Sequence, residues 1–202
     1  MIRAPLRTAL ALLLALTAAG CSSSTAPERP SRDGASAASV PTAPDAAPGR
    51  PSGPATAAPV RVTIPAIGVD SSLMRLGLNG DGTVEVPPAE QGMSAGWYTG
   101  AAVPGEPGAA VIIGHNDTKY GRAVFHDLRK LTKGAEISVI NAAGVTARFT
   151  VTGKEVVQKT AFPTQRVYGR VDDRVLRLVT CDGPFDPQGH PVDNLIVYAT
   201  AK

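Results

Sequence analysis

Short segments in which apolar and polar residues alternate run through residues 59–202 and predict β-strands. The clearest of them, residues 60–64, alternates as a strand with one buried face does. Residues 109–114 are almost continuously apolar, which is typical of a central strand that is buried on both faces. The other predicted strands are residues 72–76, 83–86, 136–140, 145–157, 175–180 and 195–200.

Helical spacing is rare in the same part of the chain. Val124, Leu128 and Leu131 have the spacing of one short helix, which Gly134 ends. Residues 182–193 are rich in Gly, Pro and Asp and predict a surface loop between the last two strands. Many short strands with one or two helical turns predict an all-β (mainly β) domain that is folded as a closed or nearly closed barrel.

The N-terminal residues 1–21 have the features of an export signal. Arg3 and Arg7 precede a short apolar stretch, and small residues then lead to Cys21. The apolar stretch is shorter than a membrane-spanning helix requires. Small residues directly before a cysteine predict a lipoprotein-type signal with lipidation of Cys21; an uncleaved signal anchor and ordinary secretion are the alternatives.

Residues 22–58 consist mainly of Ser, Ala, Pro, Gly and Thr, and they lack aromatic residues. Such a segment cannot bury enough apolar surface to offset its ordering entropy, so it predicts a disordered tether. A flexible chain of this length reaches roughly 33 Å. Residues 59–202 are left for one folded domain, which we expect at the outer face of the cytoplasmic membrane or in the cell wall.

Charge and composition exclude some functions. The formal net charge of the 202 residues is only +3, and no run of Lys or Arg predicts nucleic-acid binding. No Gly-rich phosphate loop leads from a strand into a helix. His115, His126 and His190 with Cys181 match no structural zinc spacing. We therefore expect no nucleic acid, cofactor or metal, and a monomeric protein.

Cys181 ends the apolar run 174–181 and is the one cysteine within residues 59–202. It cannot pair with a second cysteine of this domain, so it is either an inert buried thiol or a nucleophile. A thiol attacks carbonyl groups as the thiolate, and an unperturbed thiol, with a pKa of ~8.5, is only a few per cent ionised at neutral pH. His115, which directly follows the apolar run 109–114, is a candidate partner that takes the proton. One Cys and one His alone do not decide between the two interpretations.

Short sequence motifs around these two residues form a larger pattern. In order they are IPAIGVD at 64–70, LGL at 76–78, GTVEVP at 82–87, GWY at 96–98, PGEPG at 104–108, VIIGH at 111–115, AVF at 123–125, LRLVTC at 176–181 and DNLIV at 193–197. On the basis of these motifs the chain resembles the sortase family, and most closely the class F sortases of actinobacteria. The resemblance covers almost all of residues 60–200 and implies an eight-stranded sortase-type β-barrel.

The resemblance also implies a transpeptidation reaction. Cys181 would attack the Thr–Gly bond of an LPXTG-like sorting signal and form a thioester. His115 would protonate the leaving amine and then assist an incoming amine. That acceptor would be a peptidoglycan amine or a pilin lysine, and the enzyme would act at the membrane through its N-terminal lipid or signal anchor.

One departure from the family pattern concerns the arginine that sortases supply after the cysteine. No arginine follows Cys181, and the expected place holds Val192 or Asn194. Loss of one oxyanion donor costs a factor of about 10² to 10³ in rate. Candidate replacements are the amide of Asn194, the hydroxyl of Thr180 and the guanidinium of Arg170.

Two further interpretations follow from the sequence. A sortase-fold protein with impaired turnover would bind peptide or cell-wall material instead. The second of these interpretations is a different exported thiol enzyme. However, L,D-transpeptidases carry a Ser-His-Gly-Cys motif, and papain-like enzymes place their cysteine before their histidine, whereas here His115 precedes Cys181.

Overall fold

A computed structural model of the chain describes residues 57–202. The predicted export signal, Cys21 and nearly all of the predicted tether lie outside the described residues. Among residues 57–202, no helix is long and apolar enough to cross a membrane.

Ten strands and one short helix make up the described part of the chain. The strands are β1 Pro59–Ile64, β2 Val69–Leu76, β3 Ala95–Tyr98, β4 Gly108–Ile113, β5 Asp117–Thr118, β6 Gly121–Arg122, β7 Glu136–Asn141, β8 Thr146–Gln158, β9 Arg174–Phe185 and β10 Pro191–Ala201. The helix α1 spans Thr164–Tyr168, and short 3-10 turns lie at Pro65–Ile67, Ala89–Gln91, Leu128–Lys130 and Lys159–Ala161.

Eight of these strands close into a barrel in the order β1-β2-β3-β4-β9-β10-β8-β7. The pairs β2–β3 and β4–β9 are parallel, and the other neighbours are antiparallel. Strands β5 and β6 form a separate small hairpin. The predicted all-β, eight-stranded barrel is therefore confirmed.

Strand β4 is buried on both faces, as its nearly continuous apolar run predicts. Ala110 and Ile112 belong to the main core cluster, which also contains Phe125, Phe149 and Leu178. The alternate residues, including Val111 and Ile113, belong to a second cluster with residues of β9, β10 and α1. One face of β4 thus packs in the barrel core, while the other lies under the connection that contains α1.

Three local predictions are wrong. Residues 83–86 do not form a strand, because only an isolated bridge between Leu78 and Val84 pairs there. The predicted helix over residues 123–131 is a series of turns ending in the 3-10 turn Leu128–Lys130, whose apolar side chains nevertheless pack into the core. The predicted loop at 182–193 is mostly a hairpin extension of β9 and β10, in which Phe185 pairs with Pro191.

Four elements were not predicted from the sequence: strand β3, the two strands β5 and β6, and the helix α1. Strand β3 contains Trp97, whose side chain is buried in the core and donates a hydrogen bond from Nε1 to the Ala102 carbonyl oxygen at 3.0 Å. The helix α1 has only five residues, which is too short for helical periodicity to be recognised.

Candidate active site

His115 and Cys181 lie at equivalent places on two neighbouring strands. The parallel pairing of β4 with β9 matches Ile113 with Val179, and the Gly114 N–H donates a hydrogen bond to the Val179 carbonyl oxygen at 3.1 Å. His115 and Cys181 each follow two residues later. Because neighbouring strands are roughly 4.8 Å apart, this register brings the two residues side by side.

Both residues line one cavity of about 610 Å³. Its base is formed by the end of β4, the middle of β9 and Asn194 of β10. One wall comes from residues 77–88, which follow β2, and the other from the connection between β8 and β9. The lining is mainly apolar and includes Leu78, Val84, Val86, Tyr98, Ile113, Phe162, Tyr168 and Val179. An extended apolar peptide segment fits the chemistry of this surface.

The imidazole of His115 is held by the wall segment. Its Nε2 lies 2.6 Å from the carbonyl oxygen of Pro87. Since a carbonyl oxygen only accepts hydrogen bonds, Nε2 carries the proton in this contact. Nδ1 of a neutral His115 therefore has the free lone pair and is the nitrogen able to accept a proton.

Close packing around position 114 explains why a glycine precedes the histidine. A Cβ atom at this position would lie 2.6 Å from Cγ1 of Val124 and 2.7 Å from Cδ2 of Phe125. The backbone of His115 is fixed from the same side, because its carbonyl oxygen accepts a hydrogen bond from the Phe125 N–H at 2.9 Å. The turn at residues 123–127 thus packs directly against the end of β4 and sets the position of His115.

Cys181 is a free, half-buried thiol at the edge of the cavity. Thr180 precedes it and is a buried residue, only 3% exposed. The hydroxyl oxygen of Thr180 has no hydrogen-bond partner within residues 57–202. Asn194 of β10 pairs in register with Cys181 and lines the same cavity. The structure therefore brings four predicted site residues to one place: His115, Thr180, Cys181 and Asn194.

Arg170 does not join them. It is exposed and does not line the cavity. Arg166, from the same connection, forms a surface ion pair with Glu155 at 3.1 Å. Val192 is half-buried and is also not part of the lining. Within the described residues, no arginine side chain lines the large cavity.

Lys159 is a lining residue that sequence reasoning missed. It lies in the 3-10 turn between β8 and β9, and its side chain is the only lysine or arginine among the residues that line this cavity in the described part of the chain. An isolated lysine in a connecting segment carries no motif, so no sequence signal could have singled it out.

The aromatic residues of the site have different surroundings. Trp97 is a core residue, whereas Tyr98 lines the cavity and makes an edge-to-face contact with Tyr168 at a ring-centroid distance of 5.8 Å. Burial raises the pKa of Tyr168 above its ordinary value, with a smaller contribution from Tyr98. Both phenols therefore contribute ring surface to a mainly apolar wall.

The remaining histidines lie away from the cavity and from each other. His126 contacts Asp117 through Nδ1 at 2.8 Å, and His190 lies 3.6 Å from Asp186. Across residues 57–202, no group of three or more His, Cys, Asp or Glu side chains is arranged to hold a metal ion.

Comparison with known proteins gives one family. The family model "Sortase domain" matches residues 62–202. A search of curated proteins found no match.

Solved structures similar to the chain are also sortases. Sortase C-1 from Actinomyces oris has 22% identity and a TM-score of 0.56, covering 71% of this chain and 73% of that one. A lid mutant of sortase A from Corynebacterium diphtheriae has 20% identity and a TM-score of 0.56, covering 74% of each chain. A Clostridium perfringens sortase D5 transpeptidase has 21% identity and a TM-score of 0.53, covering 72% of this chain and 79% of that one. At these identities the structures show a common fold, and the family model, which matches well over half of the residues, shows that the chain belongs to the sortase family.

Proposed function

We propose that this protein is a cysteine transpeptidase that cleaves an LPXTG-like sorting signal and transfers the cleaved protein to an amine of the cell envelope. The observation that carries the proposal is the parallel register of β4 and β9, which sets His115 beside Cys181 at the edge of one apolar cavity. The apolar residues of a sorting signal suit that cavity, and the scissile bond would then lie at the thiol.

The chemistry follows from the two side chains. Nδ1 of His115 accepts the thiol proton, because Nε2 already donates to Pro87. The thiolate attacks the carbonyl carbon of the Thr–Gly bond and a tetrahedral oxyanion forms. The carbon–nitrogen bond then breaks, the imidazolium of His115 gives its proton to the leaving amine, and the acyl group stays on Cys181 as a thioester.

The oxyanion needs donors other than the arginine that sortases normally supply. The Thr180 hydroxyl is buried without a partner among the described residues, and the Asn194 amide is in register with Cys181. Both are neutral donors, which are weaker than a charged one. We therefore propose that turnover is slower than that of an arginine-containing sortase, by a factor of up to about 10² to 10³.

Intact-mass measurement of the full chain with an LPXTG-type peptide tests the activity. A thioester on the unmodified chain that is absent in Cys181→Ala, with hydroxamate formed when hydroxylamine is added, supports the enzyme. Saturable peptide binding without any covalent adduct would favour the second candidate, a sortase-fold binding module with impaired turnover. The missing arginine is the observation that motivates this second candidate.

We also propose the class F subtype and anchoring at the outer face of the membrane through Cys21, which lies outside the described residues. The motifs quoted above support the subtype, and the small residues before Cys21 support lipidation. Cys21→Ala should move the protein from the membrane fraction to the soluble fraction. Retention of the Cys21→Ala protein in the membrane fraction would instead indicate an uncleaved signal anchor.

A further inference from the structure

The large apolar cavity carries a positive charge that its own lining does not neutralise. Lys159 is the one lysine or arginine among the described residues that line it, and none of those lining residues is an Asp or a Glu. A peptide carboxylate in this cavity would therefore meet one cation and no competing carboxylate from the lining.

The side chain of Lys159 is available to a ligand. It is exposed, and it forms no ion pair or hydrogen bond with any residue in the described part of the chain. The nearby carboxylates have other partners. Glu155 accepts hydrogen bonds from Tyr198 at 2.5 Å and from Arg166 at 3.1 Å. Glu85, in the opposite wall, accepts a hydrogen bond from a backbone N–H at 2.6 Å. Lys159 is thus an unpaired cation at the rim of the cavity.

The register of the barrel places Lys159 on the other side of Cys181 from His115. Asn194 of β10 pairs with Cys181 of β9 on one side and with Val157 of β8 on the other. Lys159 follows Val157 by two residues. Two spacings between strands and two residues along the chain put the Cα atoms of Lys159 and Cys181 roughly 12 Å apart.

This separation selects one position of a bound sorting peptide. Each residue of an extended peptide adds about 3.3 Å, so the residue directly before the scissile threonine lies one step from the thiol. Its side chain and the four-carbon stem of Lys159 can together span the remaining gap. The two residues before that one, Leu and Pro in an LPXTG-like signal, are apolar and offer no acceptor to an ammonium group.

We propose that Lys159 makes the protein selective for sorting signals with an acidic side chain directly before the scissile threonine, at the variable position X. This inference rests on the proposed transpeptidase function. The ammonium group of Lys159 donates a hydrogen bond to the carboxylate of Glu or Asp at X. A Gln at X offers only a neutral acceptor, and a Lys at X is repelled.

The size of the preference follows from the exposure of Lys159. An exposed ion pair gains little, because water and salt screen it. We expect kcat/KM to be about threefold to fivefold higher for Glu than for Gln at X, and about tenfold higher for Glu than for Lys. The preference should decrease as the salt concentration rises, since it is electrostatic.

Competition between two peptides in one reaction provides the test. The full chain is mixed with hydroxylamine and equal amounts of two LPXTG-type peptides, one with Glu and one with Gln at X. Mass spectrometry at early times gives the ratio of the two hydroxamates, which equals the ratio of the kcat/KM values. Because both peptides meet the same enzyme molecules, this ratio does not depend on how much of a variant is folded.

Lys159→Met removes the charge and keeps a long unbranched side chain, so the Glu-to-Gln ratio should fall to about one. Lys159→Glu should reverse the selectivity, so that a peptide with Lys at X is cleaved faster than one with Glu. Lys133→Glu makes the same change in net charge at an exposed lysine that does not line the cavity, and should leave the ratio within about 1.5-fold.

Three results would overturn the proposal. They are a Glu-to-Gln ratio near one in the unmodified chain, an unchanged ratio in Lys159→Met, and a shift in Lys133→Glu as large as that in Lys159→Glu. An equal fall in the rates of all peptides in Lys159→Met also leaves the ratio unchanged, and would mean that Lys159 does not read position X.

A binding measurement separates this proposal from the proposed function. If the unmodified chain forms no thioester with any of these peptides, the transpeptidase function fails. Fluorescence anisotropy of labelled peptides titrated with the Cys181→Ala protein then decides the role of Lys159. Tighter binding of the Glu peptide that is lost in the Cys181→Ala, Lys159→Met double variant supports the selectivity, and equal affinities for the Glu and Gln peptides overturn it.

Discussion

At the scale of single residues, the site depends on side chains whose chemistry is set by a few contacts. Pro87 determines which imidazole nitrogen of His115 is free, and β10 determines what stands opposite Cys181. Cys181 and His115 were recognisable in the sequence because each ends an apolar run. The contact between His115 and Pro87 was not, because it joins residues 28 positions apart through a backbone carbonyl group.

Asn194→Ala tests whether the amide opposite Cys181 stabilises the oxyanion. Removal of one neutral donor should slow thioester formation by a factor of about 10 to 10², somewhat less than the loss of a full oxyanion donor. The effect should appear in the acylation rate rather than in peptide affinity. Rapid-quench mass spectrometry measures that rate, and Thr200→Ala, an exposed position farther along β10, is the control. An acylation rate equal to that of the unmodified chain would exclude the role.

Tyr198 makes the stability of the fold depend on pH in the alkaline range. Burial, followed by a 2.5 Å hydrogen bond to Glu155, raises the pKa of Tyr198 from 10.0 to about 12. Because the folded-state pKa is the higher one, this contribution is complete below about pH 10 and is lost as the pH rises to about 12.

Urea unfolding at several pH values between about 9 and 12 should therefore show a decline in the free energy of unfolding that Tyr198→Phe reduces. Tyr120→Phe, at a phenol that is 66% exposed, should leave the decline as it is. An identical pH profile for Tyr198→Phe and the unmodified chain would contradict this assignment.

At the scale of elements, the candidate active site is built from connections that the strands hold in place. The turn at residues 123–127 packs on the end of β4, and residues 77–88 form one wall of the large cavity. Strands with regular alternation were predicted well, whereas these connections were not. Their conformation depends on contacts with distant strands rather than on a local period.

Gly114→Ala tests the packing between β4 and the turn. The added methyl group would meet Val124 and Phe125 at 2.6 and 2.7 Å, so the free energy of unfolding should fall. Overpacking of this kind costs about 1–3 kcal/mol. Acylation should slow as well, because His115 shifts with the strand end.

Gly153→Ala is the matched control for this change. It lies in β8 at an ordinary φ, and a Cβ atom there would meet no atom within 4 Å. Urea unfolding should show no loss of stability for Gly153→Ala. If the Gly114→Ala protein were as stable as the Gly153→Ala protein, the turn at residues 123–127 would accommodate the methyl group with no loss in the free energy of unfolding.

At the scale of the whole molecule, closure of the barrel sets the geometry of the candidate active site. The parallel β4–β9 pair joins residues 66 positions apart in sequence at the active site, from His115 to Cys181. Both side chains therefore depend on a complete barrel, whose core contains the fully buried Phe149 of β8. A destabilising substitution far from the site should therefore impair the site only by unfolding the whole barrel.

Phe149→Ala should lower the free energy of unfolding by about 3–5 kcal/mol, because it removes a large core side chain and leaves a cavity. Below the unfolding transition, the rate of thioester formation per folded molecule should stay close to that of the unmodified chain. Urea denaturation followed by both fluorescence and acylation checks this, and Val145→Ala, at an exposed position, should be near neutral. Separate transitions for the two signals would show that the site unfolds independently of the barrel.

The sequence by itself determined the strands with a clear period of two, the two candidate catalytic residues His115 and Cys181, and the family, because alternation, an unpaired cysteine and ordered motifs are local signals. Only the tertiary structure decided that Arg170 stays outside the large cavity, that Asn194 stands opposite Cys181, and that Asn116 and Thr180 leave buried oxygens beside the thiol. These facts follow from strand register and from loops packed on distant strands. Such long-range contacts form when the barrel closes, and no short stretch of sequence encodes them.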